Sequence, residues 1–239
     1  MKRLLRLTLA ATTALSATIV ATAALSVSAF AAPEHERIRG TVTSITSDTL
    51  TVHTTAGEDV PVILGTSTKY LRVEKSSLDN IEKDSYIGTA TKEVGSMLVA
   101  LEVVIFPPAM KGTGDGHYAW DKIPDTTLSG GGTTNSAMTN GSVAAVSTTG
   151  QAPAVNSSMT NGSVSAASSE KGAKKLTVTY KGGEQTILVP PTAPIVKFAP
   201  GTMAEVTKGA TVFVNATKDD GKVTANAVAV GTDGVKPPM

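Results

Sequence analysis

Two aspartates and a histidine lie close together in the stretch "GDGHYAWD" and could share a metal ion: Asp115, His117 and Asp121. Clustered carboxylates and imidazoles are the groups that bind divalent metals. The spacing does not match a calcium loop, which places acidic or amide residues at alternating positions and ends on a glutamate. The competing interpretation is a polar, solvated loop. We favour that interpretation and assign no metal ligand.

The other two histidines are isolated in the sequence. His53 falls on a predicted strand, and His35 lies near the start of the chain that would remain after removal of a signal peptide. A histidine third from a free amino terminus can bind copper or nickel in a square plane of nitrogens. Cleavage after Ala31 makes His35 the fourth residue, so this arrangement misses by one position.

No grouping of residue types points to catalysis. The chain has no cysteine and no Gly-x-Ser-x-Gly motif, the turn that presents the nucleophile of many hydrolases. A serine nucleophile would need His53 or His117 beside it, and nothing in their spacing indicates this. We therefore predict that the protein is not an enzyme, with no catalytic residue, no cofactor-binding residue and no cofactor.

The first 31 residues have the features of a secretory signal peptide. Lys2, Arg3 and Arg6 precede an apolar run, and Ala29 and Ala31 stand at the minus-three and minus-one positions of a cleavage site. The alternative is a retained membrane anchor, because the run is nearly long enough to span a bilayer. Its serines and threonines favour cleavage, which predicts a periplasmic or secreted protein with no membrane attachment after cleavage.

Composition excludes several other classes. The net charge is +1, and the signal peptide contributes three basic residues and no acidic ones, so the mature chain carries 1 minus 3, or −2. A slightly acidic chain with few aromatic residues does not suit nucleic-acid binding. The absence of cysteine excludes disulfides, so the exported chain must be stabilised by its apolar core alone.

The elements that would position these residues are mostly strands. Short apolar and polar alternations in "RIRGTVTSI", "TLTVHT" and "DVPVIL" predict three strands joined by turns. Ser77 can then cap a single helical turn that places Leu78 and Ile81 on one face. Two further strands follow in "YIGTATKEV" and "MLVALEVVIF" before two prolines end the pattern.

The same order of elements returns in the last third of the chain. Leu50 corresponds to Leu176 at an offset of 126 (176 minus 50), and past the helical turn Val103 corresponds to Val228 at 125 (228 minus 103). A nearly constant offset over apolar and turn positions indicates two copies of one five-strand unit. We predict two small barrels, at 36–106 and 157–231, and a C-terminal tail at 232–239.

Residues 107–156 are predicted to be a flexible linker between the barrels. The segment is rich in glycine, serine, threonine and asparagine, and it offers little apolar surface to bury. Tyr118 and Trp120 are the exception. We interpret them as aromatic residues that dock the linker onto a barrel, in preference to a site that stacks a ligand.

The hexapeptide "MTNGSV" occurs twice, at 138–143 and at 159–164. Aligning the second copy with "RIRGTV" places Gly162 opposite Gly40 and Val164 opposite Val42, with the glycine at a bulge or a close backbone approach. We therefore predict that the second copy is strand one of the second barrel. The first copy is interpreted as a duplication within the linker. A small Asn-Gly hairpin is the alternative there.

The sequence combines the two-copy pattern with the segments "YAWDKIP" and "SSMTNGSV", a Val-Pro-Pro at 189–191 and the ending "VGTDGVKPPM". Together these features resemble a family of exported bacterial proteins of uncharacterised function. The resemblance implies that each copy is a small OB-like β-barrel, and it implies no catalytic residue. Such proteins often carry the label of a metal ABC transporter permease. The sequence contradicts this label, because a permease needs several membrane spans.

Three classes of function remain in order of preference. The first is a non-catalytic envelope module whose barrel faces or strand edges bind an envelope protein or polymer. The second is a periplasmic metal-handling protein. It is favoured only by the acidic loop around His117 and by the metal-transporter label that similar proteins carry. The third, an enzyme, is the least supported by the sequence.

Overall fold

The computed structural model describes residues 32–127, 132–148 and 172–238, and the predicted signal peptide lies outside them. The described chain is all-β, as the sequence predicts, with three short 3-10 turns at Leu78–Asn80, Pro108–Met110 and Met203–Glu205. The strands are β1 (Glu34–Ile45), β2 (Thr49–Thr54), β3 (Asp59–Lys75), β4 (Tyr86–Val94), β5 (Met97–Ile105), β6 (Gly116–Pro124), β7 (Thr133–Thr148), β8 (Lys174–Tyr180), β9 (Gly183–Val189), β10 (Ile195–Pro200), β11 (Thr211–Asp219) and β12 (Lys222–Gly231).

The strands close into two barrels. In the first, which we call the β1 barrel, the hydrogen-bonded order is β1-β2-β3-β12-β11 and back to β1. In the second, the β7 barrel, the order is β7-β8-β9-β5-β4 and back to β7. β10 pairs with both β3 and β5, so the two barrels belong to one 12-stranded sheet, and β6 pairs with β7.

Strand pairings in the two barrels correspond to each other at fixed offsets. Thr224 pairs with Ile63 in the β1 barrel, and Val99 pairs with Leu188 in the β7 barrel. Both differences are 125 (224 minus 99 and 188 minus 63). These differences agree within one residue with the offsets in the sequence, which are 126 before the helical turn and 125 after it.

β1 and β7 occupy corresponding places in this arrangement. Gly40 of β1 pairs with Val212 of β11, and Gly141 of β7 pairs with Ile87 of β4. The two glycines are 101 residues apart in the sequence (141 minus 40), and their partners, Ile87 and Val212, are 125 apart (212 minus 87). Positions in β1 can thus be compared with positions 101 residues later in β7.

The predicted division into barrels at 36–106 and 157–231 is corrected by these pairings. Each closed barrel takes three neighbouring strands from one part of the chain and two from the other. The physical reason is that β3 and β12 pair in parallel, as do β5 and β9. Parallel neighbours need a long connection, which here is the rest of the chain.

The prediction of a flexible linker at 107–156 is wrong for the part of it that the structure describes. β6 lies within that segment and forms an antiparallel ladder with β7, which also begins there. β7 in turn pairs with β4 and β8. The segment is rich in small and polar side chains. It nevertheless forms strands, because β7 has neighbouring strands on both of its sides that satisfy its backbone groups.

The interpretation of the first "MTNGSV" as surplus linker is also wrong. It forms the centre of β7, where Met138 and Val143 are fully buried. A Cβ on Gly141 would collide with the carbonyl of Thr179, so this glycine makes the close approach that we predict for Gly162. The second copy, including Gly162, lies outside the described residues.

The buried side chains of the described residues form three clusters. One fills the β1 barrel and includes Val42, Leu50 and Val62. Another fills the β7 barrel and includes Val143 and Leu176. The third lies between the barrels and is the aromatic one: it contains Tyr86, Phe106, Phe198 and Phe213, with Trp120 packed against it.

The predicted helical turn is confirmed. The helical turn begins after Ser77, and Ile81 is buried while Leu78 packs beside it, although the Ser77 hydroxyl makes no capping bond. The hairpin "KDDGK" turns through Asp220 and Gly221, both with positive φ, at 46° and 75°. Such values at both central positions are those of a tight turn between antiparallel strands.

The segment after β12 is held against the sheet. The backbone N–H and the hydroxyl of Thr232 both donate to the carbonyl of Val73, each at 3.1 Å, and Val235 packs against the cluster between the barrels. No helix among the described residues is long and apolar enough to cross a membrane.

Candidate functional site

Asp121 links the two barrels through two arginines. It lies in β6, and its carboxylate accepts hydrogen bonds from Arg37 Nε at 3.0 Å and Nη2 at 2.7 Å. Arg39 Nη1 lies 2.7 Å from the same carboxylate. The hydrogen bond from Arg37 lowers the pKa of Asp121 against the opposing effect of burial, and Arg39 lowers it further. The carboxylate is therefore charged and engaged in a bidentate pair.

Trp120 and Tyr118 extend this contact. The guanidinium of Arg37 lies over the indole of Trp120, 4.1 Å from its centroid, and Tyr118 meets the same indole edge-on at 5.9 Å. Arg39 lies similarly over Phe213, at 5.1 Å. The prediction that the aromatic residues dock this segment onto a barrel is confirmed for Trp120. Tyr118 stays 38% exposed.

Asp115 and His117, the other members of the candidate metal group, have separate partners. Asp115 accepts hydrogen bonds from the hydroxyl of Tyr86 at 3.3 Å and from the backbone N–H of Lys181 at 2.6 Å. His117 Nδ1 lies 2.8 Å from the hydroxyl of Thr139. No group of three potential metal ligands comes together among the described residues.

A partly buried polar cluster supports this end of β6. The side-chain amide of Asn140 donates to the carbonyl of Gly114 at 2.9 Å and to the hydroxyl of Tyr118 at 3.0 Å. Burial raises the pKa of Tyr86, and the nearby Asp115 carboxylate raises it further. Burial also raises the pKa of Tyr118. Both phenols therefore act as neutral hydrogen-bonding groups that fix the start of β6.

An open cleft of about 480 Å³ lies beside the first half of β1, and we call it the β1 cleft. It is lined by residues 36–39, 54–56 and 58–61, and by Lys218, Gly221 and Val223. Ile38 and Val223 are buried at its floor, and Val60 is partly buried beside them. The cleft thus has an apolar floor and lies at the mouth of the β1 barrel.

The rim of the cleft is charged. It carries the carboxylates of Glu36, Glu58 and Asp59 and the ammonium of Lys218. Lys218 lies 3.3 Å from Glu36, and Asp59 lies 2.9 Å from Nδ1 of His53. The two arginines of the lining, which Asp121 binds, balance these charges, so a basic group of a ligand is favoured only beside the adjacent carboxylates of Glu58 and Asp59.

The corresponding place in the β7 barrel is filled. The counterparts of Thr54 and Thr55 are Tyr180 and Lys181 at an offset of 126 (180 minus 54). Asp115 binds the backbone of Lys181, and the ring of His117 stacks on that of Tyr180 at 6.3 Å. The segment leading into β6 therefore covers in one barrel what stays open in the other.

Sequence reasoning missed the groups that organise this region. It placed Asp121 in a loop and named no partner for it, because Arg37 lies 84 residues away. It also missed the pair between Lys92 Nζ and Asp125, 2.6 Å apart. Burial opposes ionisation of Asp125, but hydrogen bonds from Lys92 and Thr127 outweigh it and lower the pKa. The sequence signal that could have led to the β1 cleft is the alignment of "RIRGTV" in β1 with the first "MTNGSV" in β7, 101 residues later.

No protein-family model, curated protein or solved structure matches this chain.

Proposed function

We propose that the protein is an exported, non-catalytic binding module of the bacterial envelope, and that the β1 cleft is its binding site. The cleft carries the proposal, because it combines a concave shape, an apolar floor and a charged rim on a rigid barrel. Asp115, His117 and Asp121 instead hold β6 in place, so the residues with the most suggestive chemistry serve the architecture.

The proposal includes an architecture for the exported chain. Residues 1–31 are a cleaved signal peptide, and the mature protein contains two copies of one five-strand unit that exchange strands. The first three strands of one copy close with the last two of the other, in the order first, second, third, fifth, fourth. This Greek-key order supports an OB-like description of each barrel, and OB-like barrels bind extended ligands on the face and loops near strands two and three.

Photo-crosslinking in intact cells tests the binding function. A photoreactive phenylalanine analogue replaces Ala56, an exposed residue of the cleft, or Ile63, which is 40% exposed on β3 and outside the cleft. We expect an adduct from position 56 that excess unlabelled mature protein suppresses, and none from position 63. Equal labelling at both positions, or no adduct at either, would contradict the proposal.

Export is tested by fractionation and N-terminal sequencing. The mature protein should appear outside the cytoplasm with Ala32 as its first residue. A chain that keeps residues 1–31 and stays with the membrane would show that the segment is an anchor.

A further inference from the structure

The outer edge of β7 is covered by another strand. β6 runs antiparallel to its first half, and the pairs include Thr139 with His117 and Met138 with Tyr118. The corresponding residues of β1 are Ile38 and Arg37, at the offset of 101. β1 pairs with β2 only from Gly40 onward, and no strand of the described residues pairs with that side of β1 before it.

The backbone of β1 presents hydrogen-bonding groups to this open side. Val42 bonds to the β11 side, because its N–H donates to Ala210 and its carbonyl accepts from Gly209. The carbonyl of Arg39 points to the opposite side, where it accepts from the N–H of Thr55 at 3.1 Å. Direction alternates along an antiparallel strand. His35 and Arg37 therefore direct their N–H and carbonyl groups to the open side.

The side chains of the β1 cleft restrict what can lie against this edge. A residue on the barrel-mouth face of an added strand would rest on Ile38, Val60 and Val223, so an apolar side chain fits there. Its neighbours would meet the adjacent carboxylates of Glu58 and Asp59, which favours a lysine or arginine there. A glycan could not supply the alternating N–H and carbonyl groups that the edge of β1 requires.

We propose that an extended peptide segment of a partner protein adds as an antiparallel strand to the open edge of β1, with an apolar side chain on the cleft floor and a basic residue at the rim. The binding is strand addition, in which the main chain provides affinity and the pocket provides specificity. The arrangement repeats what β6 does to β7 within the chain. The proposal rests on the proposed function and specifies the ligand of the same cleft.

A displayed library of random peptides, selected on the mature protein, is the probe. Selected peptides are measured on two variants, His35→Pro and His35→Ala. Proline removes an outward N–H and is tolerated on the open side of an edge strand, while alanine keeps that N–H and removes only the imidazole. We expect peptides rich in β-branched and basic residues, and about tenfold weaker binding to His35→Pro than to His35→Ala.

Amide hydrogen exchange identifies the contact directly. A bound peptide should protect the amides of His35 and Arg37, and Glu58→Gln should weaken peptides that contain lysine more than those that do not. Equal binding by the two His35 variants, together with unprotected amides, would overturn strand addition. So would a library that yields no peptide dependent on this edge.

The crosslinking arm separates this inference from the function on which it rests. In cells, an adduct at position 56 that persists at full strength in His35→Pro would keep the cleft as a binding site and reject strand pairing. Loss of the adduct in His35→Pro but not in His35→Ala supports both. No adduct in any variant would reject the function as well. Equal melting temperatures of the two variants exclude unfolding as the cause.

Discussion

The edges of β1 and β7 occupy corresponding places in the two barrels, but only β7 is covered. Met138 is fully buried beneath β6 and the cluster between the barrels, whereas its counterpart Arg37 is exposed and reaches across to Asp121. The same strand position thus carries an apolar side chain where a strand covers it and a long charged one where none does. A charged residue on an open edge also discourages unwanted pairing between molecules.

The same strand edge can serve a structural purpose in one barrel and a binding purpose in the other. In the β7 barrel, the added strand is part of the chain and fixes the barrels against each other. In the β1 barrel, Arg37 and Arg39 line the cleft with their guanidinium groups bound by Asp121, and the edge of β1 before Gly40 pairs on that side with no strand of the described residues. The strand that covers the edge of β7 therefore also positions the two arginines beside the open edge of β1.

The largest expected effect concerns which copy of "MTNGSV" fills the strand. Val143→Asp should destabilise the protein by about 3–5 kcal/mol, because it puts an unpaired charge in the core of the β7 barrel. Val164→Asp is the matched control, with the same five preceding residues, and should leave the free energy of unfolding nearly unchanged. Chemical denaturation measures both. Equal losses would show that the two copies share the place.

The two glycines at the close approaches test whether β1 and β7 are equivalent. Gly40→Ala and Gly141→Ala should each cost about 1–3 kcal/mol, because the new methyl group meets a backbone carbonyl that cannot move freely. Gly132→Ala is the control, since nothing lies within 4 Å of the position of its Cβ. Thermal unfolding of the three variants is the measurement. A cost at only one of the two strand positions would break the correspondence.

Asp121 tests the bridge between β6 and the two arginines of β1. Asp121→Asn should lose about 1–2 kcal/mol at neutral pH, because two charge-assisted contacts to Arg37 and Arg39 are weakened. The folded-state pKa of Asp121 is lowered, so its stabilisation is present above the ordinary pKa of aspartate. It disappears as pH falls through the lowered value.

The pH profile distinguishes this bridge from a general effect of charge. The stability difference between wild type and Asp121→Asn should be constant from neutral pH down to the ordinary aspartate range and then shrink. Asp59→Asn is the control, because that carboxylate is 61% exposed and its pair with His53 should contribute little to stability. A difference that grows on acidification would contradict the assigned role.

The sequence predicted where the strands lie better than it predicted which strands pair with each other. Alternation in "TLTVHT" gave the bounds of β2, Thr49–Thr54, because one face of that strand is buried and the other is not. It could not show that β3 pairs with β12 rather than with β5, since alternation specifies a buried face and not the strand beside it. The two identical hexapeptides posed the same difficulty. The first pairs with β6, and nothing within the hexapeptide itself indicates that pairing.

The smallest expected effect comes from excising residues 138–158, which joins Ala137 to the second "MTNGSV". The residues that β7 buries at 138–141 and 143 are identical at 159–162 and 164, so the second copy can take over the strand. The connection to β8 falls from 25 residues (173 minus 148) to four (173 minus 169).

The shorter connection should gain about 1.5 kcal/mol in loop-closure entropy. Replacing the partly buried Val146 by its counterpart Ala167 should offset it by about 1 kcal/mol. We therefore expect the free energy of unfolding to change by no more than about 1 kcal/mol. Val164→Asp, nearly neutral in the full chain, should now cost as much as Val143→Asp does there, because residue 164 has become the core residue. If the excised protein unfolds, or if Val164→Asp stays neutral in it, the second copy cannot form the strand, and β7 depends on more than the residues it buries.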